Sequence, residues 1–325
     1  MVAVSAPGKA ILFGEHAVVY GEPAVAVAID ARVTVNLTPC TGEWKVGGTP
    51  LDPEKHPHLD FLRRQILGSD SEPHSFQVVS ELFPAAGLGS SAALSAAACS
   101  ALIQASGATE SDVVEVARLA HFAEASAQGG RASPIDTSTS TLGGCVFVSD
   151  QRESLASWQY TRSLTTPEGE REWEVHSVDL PSKAESVWLV VGSTGIHSPT
   201  GEMVAKVAEL LKRNPEKEAD IKRMGEVARA GAKAISDGDF EEVGRLMDEA
   251  HVLLSGIGVS CQELDDMVEV ARQTSLGAKL TGAGGGGCML ALTRNPEETA
   301  AAVEMRGGRV IVTPLGATGV RVENP

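Results

Sequence analysis

With 325 residues, the chain is long enough for one or two domains sharing a cleft. Apolar content of 42% and charged content of 22% are ordinary for a globular protein and exclude a disordered one. Its 43 acidic against 27 basic residues, a net charge of −16, lack the basic surplus of a nucleic-acid or anionic-membrane surface, so neither partner is expected.

Val2–Ser5, Ala10–Phe13 and Ala24–Leu37 carry Val and Ile in partial alternation and are predicted strands, as is Ser75–Leu82. Ser91–Ala105 is packed with Ala and Ser, which suits a tightly packed helix. Thr109-Glu-Ser-Asp112 resembles a capping box and opens a second helix toward Ala127, ended by Gly129-Gly130. Gly143–Val148 reads as a strand, residues 150–183 as an edge hairpin plus a connection, and Ser186–Val191 as a short buried strand. Helical patterns follow over Gly201–Arg213, Glu216–Asp237, Glu241–Leu254 and Gln262–Ser275. Strand, helix and strand close the chain: Ala278–Thr281, Cys288–Thr293, Pro296–Met305, Arg309–Val312 and Val320–Val322. The expected organisation is two α+β halves, 1–185 and 186–325.

Five scattered cysteines, at 40, 99, 145, 261 and 288, include no CxxC pair. They argue against a disulfide framework or zinc site and read as small buried apolar residues in a reducing compartment. Near Met1 no basic segment precedes an apolar one, and no apolar run approaches the roughly 20 residues of a membrane span. The expectation is a soluble cytoplasmic protein.

Three glycine-rich segments and two carboxylates carry the chemistry. In Ser5-Ala-Pro-Gly-Lys-Ala-Ile-Leu-Phe-Gly-Glu-His16, Lys9 precedes an apolar strand that ends at Glu15 and His16, although a solvated turn lysine is an equal reading. Gly87-Leu-Gly-Ser-Ser-Ala92 opens the alanine-rich helix. Free amides at a helix start favour an anion, and a plain serine N-cap explains only one of the two serines. The segment Thr281-Gly-Ala-Gly-Gly-Gly-Gly-Cys288 fits the dinucleotide fingerprint in letters, yet a strand-like run follows it, so it reads as a glycine turn beside a ligand. Asp136 lies among hydroxyls directly before a predicted strand, where an Asx-turn role competes with a chemical one. Glu124 on the preceding helix faces the same junction if the chain turns back there, and a carboxylate near phosphates commonly holds Mg²⁺; alone it reads as a solvated helix residue.

Jointly these segments resemble the GHMP small-molecule kinase superfamily and, within it, the archaeal mevalonate kinase family. The likeness rests on Ala6–Gly21, Gly87–Ala93, Ala132–Thr137 with Ser140–Gly144, and Thr281–Cys288. It implies an α+β, two-domain GHMP kinase fold: an N-terminal ribosomal protein S5 domain 2-like unit and a C-terminal ferredoxin-like α/β sandwich, with the active site in the cleft between. It further implies ATP-dependent phosphorylation of (R)-mevalonate at its C5 hydroxyl, with ATP and Mg²⁺ as cofactors, in a homodimer. Phosphomevalonate kinase, mevalonate 3-kinase and galactokinase are sibling alternatives.

The roles implied at matching positions are as follows. Asp136 is the base or orienting charge, and Lys9 lowers the effective pKa of the hydroxyl. Pro84, Ala86, Gly87, Leu88, Gly89, Ser90, Ser91 and Ala92 grip ATP, while Ser91 and Glu124 hold the metal. Glu15, His16, Ser133, Thr194, Gly282 and Ala283 face mevalonate, with Gly195–Thr200 closing that side. Two departures stand out: alanine replaces a common glycine in Pro84-Ala-Ala-Gly87, and Glu124 stands twelve positions before Asp136, one more than usual.

Overall fold

A computed structural model describes residues 1–108, 112–198 and 200–323. The first half of the chain forms strands β1 (Val2–Phe13), β2 (Ala24–Pro39), β3 (Lys45–Val46), β4 (Thr49–Pro50), β5 (His74–Ser80), β6 (Cys145–Ser149), β7 (Ser157–Thr166) and β8 (Gly169–Val178). Its helices are α1 (Pro57–Leu67), α2 (Ser90–Ala105), α3 (Val113–Ala127) and α4 (Ile135–Leu142). The second half contributes β9 (Trp188–Ser193), α5 (Thr200–Arg213), α6 (Glu218–Asp237), α7 (Phe240–Gly256), α8 (Gln262–Arg272), β10 (Gly277–Thr281), β11 (Cys288–Thr293), α9 (Pro296–Glu304), β12 (Arg309–Pro314) and β13 (Arg321–Val322).

A nine-stranded sheet is built around β2. β1 runs antiparallel along one edge of β2, while β5 and β6 share the other edge at its two ends. β7 lies at the sheet margin, hydrogen-bonded to β8, as the expected edge hairpin. The two short strands expected in the first thirteen residues are one, β1, because a register shift between Pro7 and Gly8 absorbs the proline. A side chain at Gly8 would meet Leu82 and the Leu88 carbonyl, so only glycine lets the loop before α2 lie against the bulge.

The second sheet has the order β10-β11-β9-β12, antiparallel throughout. β13 departs from that pattern: it returns to the first sheet and pairs with β1, Val4 opposite Val322. One apolar cluster runs from Phe13 and Val27 through Ala228 and Val243 to Val191, so α6 and α7 join the two sheets through shared core. Gly231 of α6 is a point of close approach, since a Cβ there would lie 2.3 Å from the Phe13 ring.

α2 is buried on nearly every side, which alanine and serine permit by letting neighbours come close. α1 and α4 were not expected from the sequence. In particular, Asp136 does not lie in a turn directly before a strand; it sits in the first turn of α4. That helix reads Ile-Asp-Thr-Ser-Thr-Ser-Thr-Leu, a poor helix former, and Thr139 donates back to the Ile135 carbonyl at 2.7 Å. α3 is capped by the Asp112 side chain, which accepts from the Val114 amide. The first three residues of the expected capping box, 109–111, lie outside the described residues. Cys99, Cys145 and Cys288 are buried, and burial pushes each thiol up to about 12. Among the described residues no helix is long and apolar enough to cross a membrane.

Candidate active site

The bulge in β1 presents Lys9, whose backbone amide donates to the Leu88 carbonyl at 2.9 Å. Its ammonium, on a side chain only 5% exposed, lies 3.1 Å from Asp136 Oδ1 and donates to the Gly87 carbonyl at 3.1 Å. A buried cation on this stem needs both partners. Asp136 keeps 38% of its side chain open, so the carboxylate that faces Lys9 also faces solvent.

α2 begins beside this pair. Gly89 is its N-cap in the left-handed region (φ 71°), and no side chain caps the helix. The first intrahelical bond is Ala93 N–H to the Gly89 carbonyl, which leaves the amides of Ser90, Ser91 and Ala92 without a helix acceptor. Ser90 and Ser91 are exposed, whereas Ala92, Ala86 and Leu88 are buried beneath them and Pro84 stands at the exposed rim. A Cβ on Gly89 would come within 2.8 Å of Lys9 Cγ. The conformational freedom of that glycine and the path of the lysine are therefore one requirement. Ala85, in the Pro84-Ala-Ala-Gly87 stretch, also holds a positive φ of 53°, a costly geometry for a residue with a Cβ.

Glu124 is not a solvated helix residue. It is 5% exposed, and its carboxylate accepts from Ser91 Oγ (3.0 Å), Ser95 Oγ (3.2 Å) and Gln128 Nε2 (2.9 Å). His58 Nε2 of α1 stands 3.2 Å away. Between Glu124 and Asp136 the chain turns at Gly129 and Gly130, both at positive φ, before α4 starts. Among the described residues no group of three His, Cys, Asp or Glu side chains could hold a metal by itself. Ser91 and Glu124 nevertheless offer hard oxygen donors at the helix start, the set Mg²⁺ uses when phosphates and water complete its shell.

The second glycine loop faces the first. A Cβ on Gly87 would lie 4.0 Å from Gly282 Cα, and one on Gly287 would lie 3.3 Å from the Ala86 carbonyl. Thr194 does not project alone: its amide and hydroxyl both donate to the Gly287 carbonyl at 2.9 Å. Ser198 donates to Gly284, so the segment after β9 wraps the loop. His16, at a strained φ of 60°, bonds the Ala283 carbonyl through Nε2 at 2.9 Å, and burial lowers its pKa. Glu15 is fully buried against Lys279 of β10 rather than turned to open space. Burial pushes the Glu15 carboxyl up and the Lys279 ammonium down, each opposed by the charge of the other. Thr281 exchanges hydrogen bonds with the Ile11 amide and carbonyl at 3.0 Å and extends this seam.

Ser133, three residues before Asp136, lines a cavity of about 730 Å³ with Val18, Arg131, Arg171, Trp173 and Thr200. Arg131 is paired with Glu168 at the tip of the β7–β8 hairpin. Lys279, Arg131, Arg171 and His58 were missed by sequence reasoning. A charge inside the five-residue buried strand Gly277–Thr281 was a legible signal for Lys279, whereas the arginines sit in polar stretches that give none.

Free helix amides, a hydroxyl, a buried lysine and a half-open carboxylate at one point define a phosphoryl-transfer site. Residues 58–144 match the GHMP kinases N terminal domain, and residues 232–306 match GHMP kinases C terminal. The chain is 34% identical over 356 aligned positions to the mevalonate kinase of Thermococcus sibiricus, covering 99% of this chain and 98% of that one. It is 36% identical over 306 positions to the mevalonate kinase of Methanothermobacter thermautotrophicus, covering 89% of each. The crystal structure of L. major mevalonate kinase in complex with R-mevalonate shares the fold, with a TM-score of 0.74 at 22% identity over 96% of this chain and 95% of that one. The chain belongs to the GHMP kinases and, among them, to the mevalonate kinase family.

Proposed function

We infer that the protein transfers the γ-phosphoryl group of ATP to the C5 hydroxyl of (R)-mevalonate, giving 5-phosphomevalonate and ADP. This is the first kinase step of the mevalonate route to isoprenoids. The observation that carries the reading is the 3.1 Å Lys9–Asp136 pair at the uncapped N-terminus of α2. Whole-length likeness to mevalonate kinases supports the substrate.

The amides of Ser90, Ser91 and Ala92 bind triphosphate oxygens, aided by the α2 dipole. Ser91 and Glu124 would hold Mg²⁺, which neutralises phosphate charge when bound. Ser95 and Gln128 fix the Glu124 carboxylate for that purpose. Asp136 accepts the proton of the C5 hydroxyl as its oxygen attacks phosphorus. Lys9, oriented by the Gly87 carbonyl, stabilises the developing charge. The acceptor occupies the cavity beside Ser133, where Arg171 supplies positive charge for its carboxylate and Arg131 is paired with Glu168 of the same wall. His16, Thr194, Gly282 and Ala283 form the wall of the cleft, and Glu15 supports that wall from behind.

The two domains proposed, 1–185 and 186–325, are supported by sheets whose adjoining strands end at Val178 and begin at Trp188, with β13 of the second range returning to the first sheet. A cytoplasmic homodimer is proposed on family resemblance. With Mg²⁺ and ATP, purified protein is expected to release ADP in proportion to (R)-mevalonate and to ignore phosphomevalonate and galactose. Turnover of either of those with none of mevalonate would overturn the substrate assignment.

A further inference from the structure

The two residues that meet at the centre of the site come from separate elements. Lys9 is on β1 and Asp136 is at the start of α4. The last described residues of the chain touch both. On one side, β13 pairs with β1, placing Arg321 opposite Ser5, and the Glu323 amide donates to the Ala3 carbonyl at 2.8 Å. On the other side, the Val320 amide donates to the Thr141 carbonyl in the last turn of α4. The Gly144 amide donates to the Ala317 carbonyl, and Gly143 bridges Thr318. The approach allows no side chain: a Cβ on Gly319 would lie 2.2 Å from the Thr141 carbonyl oxygen, and one on Gly143 would lie 2.2 Å from the Gly319 nitrogen.

Arg32 of β2 holds this junction. It is 5% exposed, and its guanidinium donates to the carbonyls of Thr318 (2.8 Å), Gly319 (2.7 Å) and Ser5 (3.1 Å) and to Ser5 Oγ (2.7 Å). Ser5 Oγ in turn donates to the Glu323 carboxylate. The closest carboxylate to the guanidinium, on Asp30, stands at 4.0 Å on an exposed side chain. The fork is thus spent on backbone carbonyls of β1 and of the C-terminal segment, an arrangement that fixes positions more than it neutralises charge.

We propose that Arg32 and the segment Ala317–Glu323 form a positioning clamp that sets the approach of Asp136 to Lys9. β1 is one jaw, the end of α4 is the other, and Arg32 locks the segment between them. The clamp rests on the assignment of Lys9 and Asp136 as the reacting pair. A small displacement of a reacting group is enough to cost orders of magnitude in rate, so the clamp acts on turnover rather than on binding.

The test is a double-substitution cycle in the full-length protein, read by steady-state kinetics with Mg-ATP and mevalonate. Arg32→Gln is expected to lower kcat about tenfold or more while both KM values stay within about twofold. In an Asp136→Asn background the same substitution is expected to change residual turnover by less than about twofold, because there is no carboxylate left to position. A parental kcat in Arg32→Gln, or an equal loss in both backgrounds, overturns the clamp. If Arg32→Gln does not fold, Ser5→Ala takes its place. It removes one guanidinium acceptor and the Glu323 contact, and is expected to lower kcat about threefold with KM values unchanged; unchanged kcat overturns the proposal. Parental activity in Asp136→Asn alone contradicts the reacting-pair reading instead, and so separates the two failures.

Discussion

Lys9 and Asp136 differ in exposure, 5% against 38%, and that asymmetry divides the labour between them. The buried lysine is held by a carbonyl and a carboxylate, and the open aspartate has a free side for an acceptor. Lys9→Met is expected to cut kcat by about 10² to 10³ with a smaller change in the KM for ATP, measured in a coupled ADP assay. An intact kcat would remove the lysine from the chemistry. Ala85 poses a different residue-scale question. Its φ of 53° is strained for alanine, so Ala85→Gly is expected to raise stability by on the order of 0.5–1 kcal/mol in denaturant unfolding. A loss of stability would mean that the Cβ makes contacts worth more than the strain. The missing glycine was visible in the sequence, but that the loop keeps the left-handed turn without it was not.

Elements fix what residues alone cannot. Gly89 caps α2 in the left-handed region and leaves room for the Lys9 stem. Gly89→Ala is therefore expected to lower thermal stability and kcat together. A variant with parental kcat would show that the lysine has room to move. α3 carries a second dependence. His121 is fully buried, donates through Nε2 to the Ala132 carbonyl ahead of α4, and is held down to about 4 by burial. Its folded pKa is below the 6.5 of the free side chain, so the unfolded chain takes up the proton first. Stability is then full above pH 6.5 and falls toward pH 4, by about 1.4 kcal/mol per pH unit for one such group. His121→Phe is expected to flatten the acid limb of urea unfolding by about one proton, and an unchanged slope would contradict it. α4 was the element least legible in the sequence. Alternating Thr and Ser favour turns or strands in isolation, and only back-bonding hydroxyls and the buried face of α2 make them helical. α2, by contrast, was legible because a run of small residues has few other uses.

Across the whole molecule, the two sheets are joined by apolar core and by one buried charge pair, Glu15 with Lys279. Glu15→Gln leaves the lysine buried and unpaired, an expected loss of about 3–5 kcal/mol, whereas Glu15→Leu with Lys279→Met is expected to recover most of it. A single-variant loss under about 1 kcal/mol would contradict that seam. The halves themselves were legible from hydrophobic patterning and from glycine loops of different character. The return of β13 to the first sheet was not, since two short exposed residues carry no pairing signal. The meeting of both glycine loops with Lys9 and Asp136 is the claim on which the functional account rests. It is tested most directly by single-turnover phosphoryl transfer from Mg-ATP to (R)-mevalonate in the parent and in Asp136→Asn. The account predicts rapid 5-phosphomevalonate formation from the parent and, from the variant, nucleotide binding with only a slow residual turnover. Product formation by Asp136→Asn at the parental rate would contradict it.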